Sequence, residues 1–171
     1  MKAIVRTCWD ICLLRQGPQI FPRSWYLFAV MLSVYILVDA ILFVAQGIRD
    51  FQVVYQTLFD CALLVAFLAL VLGLWQKFER FNQTAVALFG SSALIMIAAV
   101  PVSFVVTLPN STSVQTVVEA LIYVILAWSI LVIAHVIRHA LDTKLFIGIL
   151  IAGAYTVINI LLFALLFPIK G

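Results

Sequence analysis

Five apolar stretches, each about 20 residues or longer, follow one another along this chain with only short polar connectors between them. Crossing a hydrocarbon core of about 30 Å takes roughly 20 helical residues, and a helix satisfies its own backbone groups where no water can reach them. The spacing predicts spans over Trp25 to Gln46, Val53 to Trp75, Ala85 to Thr107, Gln115 to Ile137 and Leu145 to Phe167. The connectors carry turn and polar chemistry: Gly47 with Arg49 and Asp50, Gln76 to Gln83, the run Pro109, Asn110, Ser111 and Thr112, and Arg138 to Lys144. Composition agrees, because 66% of the residues are hydrophobic and 10% are charged. Soluble domains carry about 25% charged residues, so water cannot be the main solvent of this surface. The expected fold class is all-α, a polytopic membrane bundle of five transmembrane helices over residues 25–167, preceded by an amino-terminal segment, 1–24.

The basic residues segregate when the spans are threaded alternately. Lys2, Arg6, Arg15, Arg23, Lys77, Arg80, Arg138 and Lys144 fall on the face that carries the amino terminus, against Arg49 and Lys170 on the other. Positive charge is retained on the cytoplasmic side, so the amino terminus is expected inside and the carboxyl terminus outside, in a membrane such as the bacterial inner membrane. Trp25, Tyr26 and Trp75 supply aromatic rings at the inner interface and Tyr55 does so near the outer one. A cleavable signal peptide is not expected, since Lys2, Arg6, Asp10, Arg15 and Arg23 interrupt the first 24 residues. The net charge of +3, sorted by side, speaks for anionic lipid headgroups rather than nucleic acid. Three cysteines, Cys8, Cys12 and Cys61, make an odd count at or within the membrane, which argues against a disulfide framework.

Residues 1–16 place Ile4, Val5, Cys8, Trp9, Cys12 and Leu13 at helical spacing, with Lys2, Arg6 and Asp10 on another face. This predicts an interfacial amphipathic helix whose stripe, Trp9 included, lies at the acyl boundary while Lys2 and Arg6 meet headgroups. Gly17 and Pro18 are expected to end it.

Polar groups inside the spans are the candidate site. Asp39 lies about seven residues from the outer end of its span and Asn159 about eight from its own, each roughly 10 to 12 Å deep at 1.5 Å per residue. Asp60 enters from the outer side to a similar depth and Glu119 sits shallower, so all four share the outer half of the bilayer. Tyr35 precedes Asp39 by four, Tyr123 follows Glu119 by four and Tyr155 precedes Asn159 by four, and each tyrosine therefore shares its partner's helix face one turn deeper. The pattern predicts either a polar cavity opening outward over a floor of phenols or helix-to-helix hydrogen bonds. No basic residue lies at that depth, so at least one of the acids is expected to hold a proton at neutral pH.

Other features carry less chemistry. His135 and His139 are spaced to share one helix face, a geometry two metal ligands can use, but two ligands do not make a site, and Arg138 beside them disfavours a cation; no cofactor is expected. Pro101 is expected to bend the third span, and Gly148, Ala152 and Gly153 give the fifth a small-residue strip for close helix contact. No nucleophile elbow, zinc-hydrolase helix or phosphate-binding glycine loop occurs, and the connectors are too short for a soluble catalytic domain.

The approach segment Leu14-Arg15-Gln16-Gly17-Pro18, followed by Phe21-Pro22-Arg23-Ser24, together with five closely spaced helices, resembles the Yip family of Ypt/Rab-interacting five-span proteins and their bacterial relatives. By layout the resemblance covers Arg15 to Phe167. It implies a non-enzymatic membrane protein; the long hydrophilic amino-terminal region of eukaryotic members has no counterpart here, so Rab binding is not implied. The sequence thus leads to an adaptor or accessory subunit with a membrane-protein partner or a second copy of itself. Its alternative is a small proton- or cation-linked carrier or channel working through the intramembrane acids.

Overall fold

The structure, a computed structural model, describes residues 2–48, 51–108 and 112–167. The connector residues Arg49, Asp50, Pro109, Asn110 and Ser111, and also Lys170, lie outside the described residues. Six α-helices and no strand occur among those described: α1 Lys2–Cys12, α2 Trp25–Ala45, α3 Phe51–Leu74, α4 Phe81–Val106, α5 Thr112–Leu141 and α6 Leu145–Leu166. Five of them, α2 to α6, are long and apolar enough to cross a membrane, and the chain is a multi-pass integral membrane protein.

The helices close into a ring in the order α2, α3, α6, α5, α4, with α4 drawn inward and touching every other helix but α6 substantially. Its burial follows from its side chains. Ala85, Ala87, Gly90, Ser91 and Ala93 are small and let neighbouring backbones approach closely, which is how helices associate where lipid supplies no hydrophobic drive. Phe28 of α2 packs its ring 6.1 Å from that of Phe81 and 5.9 Å from that of Phe89, and Tyr35, further along, packs 5.1 Å from Phe89, so α2 lies along α4 in parallel. The hairpin of α5 and α6 closes over Gly148, where an added Cβ would run into the backbone carbonyl oxygen of Ala134. Ala152, one turn on, is fully buried, whereas nothing lies within 4 Å of a Cβ placed at Gly153. The close contact therefore runs along Gly148 and Ala152 alone, because residues four apart stack on one face and the next residue turns away.

Two helices extend further than their apolar stretches. Phe81 to Gln83 and Arg138 to Leu141, expected in connectors, are helical at the end of the bundle that carries the basic residues. Polar side chains at this end are used within the fold: Arg80, just before α4, donates from Nη1 to the carbonyl of Ala140 at 3.0 Å, and Gln83 Nε2 donates to that of Phe21 at 2.6 Å. The two connectors at this end are clasped by Asp142, whose Oδ2 meets Lys77 Nζ at 2.5 Å and Arg80 Nη1 at 2.8 Å. Hydrogen bonds from these two cations hold the exposed Asp142 carboxyl down at about 2.

The amino-terminal helix departs most from expectation. It ends at Cys12, before Gly17: Leu14 adopts φ 60°, and Arg15 N reaches back to the Asp10 carbonyl at 2.9 Å, the double-bonded helix ending usually built on glycine. Its apolar stripe is divided. Cys8, Ile11 and Cys12 are buried against α4 and α5, with the Cys8 sulfur only 2.5 Å from where a Gly90 Cβ would stand. Val5, Trp9 and Leu13 remain exposed beside Lys2 and Arg6. A stripe broader than one contact needs has thus been shared between the bundle and the outside, and the helix is docked on protein instead of resting its whole apolar face on lipid. Burial pushes the Cys8 and Cys12 thiols up to about 11 and about 12, so both act as small apolar packing groups rather than as nucleophiles.

The crossing at Gly148 gives a direct test. Gly148→Ala should lower stability by about 1 to 3 kcal/mol, the usual range for overpacking, while Gly153→Ala should leave it within experimental error. Reversible unfolding in mixed detergent micelles measures both.

Candidate functional site

Three helices bring polar side chains to one layer. Tyr35 from α2 donates its phenol hydrogen to Asp60 Oδ2 on α3, and Asn159 from α6 donates its amide hydrogen to Asp60 Oδ1 at 2.8 Å. Both carboxylate oxygens of Asp60 are therefore engaged, each by a different helix. Asp39 lies one turn beyond Tyr35 on α2, only 2% exposed and within electrostatic reach of Asp60, and its Oδ2 has no hydrogen-bond partner. Thr57 stands beside it from α3. Tyr155 is buried one turn before Asn159, its ring 4.5 Å from that of Phe67.

Aromatic rings bound the layer along the bundle axis. Toward the basic end, Tyr35 and Tyr155 rest on Phe89 and Phe67. Toward the other end, Phe163 stacks on Phe43 at 5.9 Å and meets Phe59 edge-on at 5.4 Å, and Phe167 adds a further edge contact with Phe59 at 5.8 Å. The two phenols do lie one turn deeper than Asp39 and Asn159, as the spacing requires. The layer is nevertheless roofed by phenylalanines rather than open, because α2, α3 and α6 converge there on large apolar side chains.

Five of the seven residues singled out in the spans meet in this layer: Tyr35, Asp39, Asp60, Tyr155 and Asn159. Glu119 and Tyr123 do not. Both are exposed on α5, Tyr123 to 69%, because α5 packs on α4 and α6 and its remaining face turns outward. A shared half of the bilayer and the four-residue spacing grouped them with the others; rotation about the helix axis separates them. Gln56 and Thr57 are additions that spacing did not reveal, although Gln56 precedes Asp60 by four and so had the same signal as the tyrosines.

His135 and His139 share a face of α5 with ring centroids 4.6 Å apart. They are joined to the approach segment instead of to each other: His135 Nε2 lies 3.0 Å from the Gln16 carbonyl, and the His139 carbonyl accepts from Gln19 Nε2 at 2.7 Å. Trp128 Nε1 likewise donates to the Cys12 carbonyl at 2.9 Å. The Trp128 bond satisfies a carbonyl left free where α1 ends, the His135 bond one in the segment that follows, and the Gln19 bond one in the last turn of α5, which explains why polar side chains line this part of α5. Among the described residues no group of three or more histidine, cysteine or acidic side chains could hold a metal ion.

A cleft of about 360 Å³ lies elsewhere, between α2, α4 and α5, with Leu42, Val102, Val106, Ile122 and Leu126 among its walls. It sits beside Pro101, through which α4 continues as helix. No family model, curated protein or solved structure matches this chain.

The two donors to Asp60 differ from an exposed phenol in consequence. Tyr35→Phe should leave Asp60 Oδ2 buried without a donor and destabilise the bundle by about 1 to 3 kcal/mol, whereas Tyr123→Phe should be neutral. Unfolding of the two variants in detergent, followed by circular dichroism, compares them.

Proposed function

We propose that this chain is a non-catalytic adaptor or accessory subunit of a membrane assembly, held in a membrane such as the bacterial inner membrane with its amino terminus cytoplasmic and its carboxyl terminus outside. The observation that carries the reading is how little of α6 the chain itself covers. Only 11% of its apolar span is buried, and 17% of that of α2, so continuous apolar faces are left for another membrane helix, from a partner protein or a second copy. The polar side chains turn inward to one another, which leaves those faces free of groups that a partner would have to desolvate. Orientation rests on the eight-to-two division of lysine and arginine, and the five-span layout resembling Yip proteins suits a role without catalysis. The exposed Val5, Trp9 and Leu13, flanked by Lys2 and Arg6, fit contact with anionic headgroups at the cytoplasmic surface.

A photoreactive amino acid at Leu161, exposed on α6, tests the reading in native membrane. It should give a discrete protein adduct, shifted by one chain mass for a second copy or by another mass for a partner; adducts with lipid alone would overturn it.

The unpartnered oxygens near Asp39 favour a second reading, a proton- or cation-linked carrier using Asp39 and Asp60 with Tyr35 and Asn159. Flux into liposomes that Asp39→Asn abolishes would support it; equal flux in parent and variant, or none in either, would remove it.

A further inference from the structure

Asp39 and Asp60 are both acids of one buried layer, but the hydrogen bonds around them are not alike. Asp60 receives one hydrogen on each carboxylate oxygen, from the Tyr35 hydroxyl and the Asn159 amide. An ionised carboxylate can use two such donors fully, because it only accepts. Asp39 Oδ2 receives none. Two buried side chains of α3 also carry oxygens without a partner: Gln56 Oε1, an acceptor, on a residue 7% exposed, and Thr57 Oγ1, a hydroxyl that can donate or accept, on a residue 3% exposed that stands beside Asp39.

Helix register sets Gln56 level with Asp39. The α2 and α3 helices run in opposite directions, and the bond between Tyr35 and Asp60 fixes where they pair. One turn further along α2 is Asp39, and one turn back along α3 is Gln56, so the two face each other across the interface. An ionised Asp39 would there confront the Gln56 carbonyl oxygen and the Asp60 charge with, among the described residues, no cation beside it and only the Thr57 hydroxyl to offset them. A protonated Asp39 becomes a hydrogen-bond donor, and one added hydrogen resolves two unpartnered atoms together.

We propose that the Asp39, Gln56 and Thr57 cluster is a proton-binding site, in which Asp39 Oδ2 carries the proton and donates it to Gln56 Oε1 while Asp60 alone holds the negative charge. The assignment follows a general rule for neighbouring acids, whose environments divide one proton between them unequally. The other groups facing this layer are Tyr35 from α2, Cys61 from α3, and Tyr155 and Asn159 from α6, while α4 contributes the ring of Phe89. Among the described residues the ion pairs are those of Lys77 and Arg80 with Asp142, at the basic end, so neither acid of the layer is paired with a cation. The site holds its proton whether or not the chain moves ions, so binding and transport fail separately.

Infrared spectra of the full chain in nanodiscs at neutral pH, recorded in potassium buffer, test the site. The parent should show a protonated carboxyl carbonyl band that Asp39→Asn removes and that Glu119→Gln, altering the exposed acid of α5, leaves in place. Should Asp39→Asn not fold, Gln56→Leu serves instead: it withdraws the acceptor and should move the band to higher frequency without removing it. Absence of the band in the parent, its survival in Asp39→Asn, or no movement in Gln56→Leu would overturn the proposal. So would loss of the band on replacing potassium by sodium, since a metal ion would then be the occupant.

Discussion

Inside a bilayer a polar group finds a partner within the protein or none, and in this chain that constraint is concentrated on Asp60. Its two carboxylate oxygens draw a donor from α2 and a donor from α6 to α3. The α3 helix packs against α6 far less extensively than α5 does, so apolar contact alone leaves that edge of the ring thinly joined. Interhelical hydrogen bonds in membranes contribute only about 0.6 kcal/mol on average. Their larger effect is on register. Once the Tyr35 hydroxyl meets Asp60, the levels of Asp39, Gln56 and Thr57 follow, and so does the stack of phenylalanines that roofs them.

The opposite half of the molecule is organised by size rather than polarity. The small side chains of α4 allow α2, α5 and α1 to approach it from different sides, and Gly90 in particular makes the notch into which Cys8 fits. Because α1 docks there, the chain leaving it must be satisfied by hydrogen bonds, and Trp128, His135, Gln19 and Gln83 provide them. The last turns of α5 and the first of α4 thus form a polar socket for the amino-terminal segment. The same residues that looked like a metal-binding pair or a connector have structural partners there.

These two halves bear differently on function. The basic end is a clasp in which one carboxylate, Asp142, meets two cations and backbone carbonyls take further bonds, although Gln16 Oε1, Asn82 Oδ1, Arg138 Nε and Thr143 Oγ1 are left without partners there. The buried layer has oxygens that remain unmatched, and the periphery of α2 and α6 is apolar and largely uncovered. An assembly role draws on the periphery and a proton-linked role on the layer. The two can coexist, since a partner seated on α6 would lie next to Asn159 and hence next to Asp60.

What the sequence determined by itself was the number of crossings, their ends to within a few residues, and the depth of each polar side chain, because hydrophobic length and 1.5 Å per residue depend on nothing beyond the helix itself. Tyr35, Asp39, Asp60, Tyr155 and Asn159 were legible as one layer for that reason. Only the tertiary structure decided which way each helix faces. Glu119 and Tyr123 have the spacing of the others and belong to the same half of the spans, and are still turned outward, since α5 is held by α4 and α6 and presents its remaining side to the surroundings. Likewise Leu14 ends α1 before Gly17 does, and half of that helix's apolar stripe faces the bundle, because Gly90 and Trp128 are there to receive it. Depth is a property of one helix; azimuth is settled by its neighbours, which are far away along the chain.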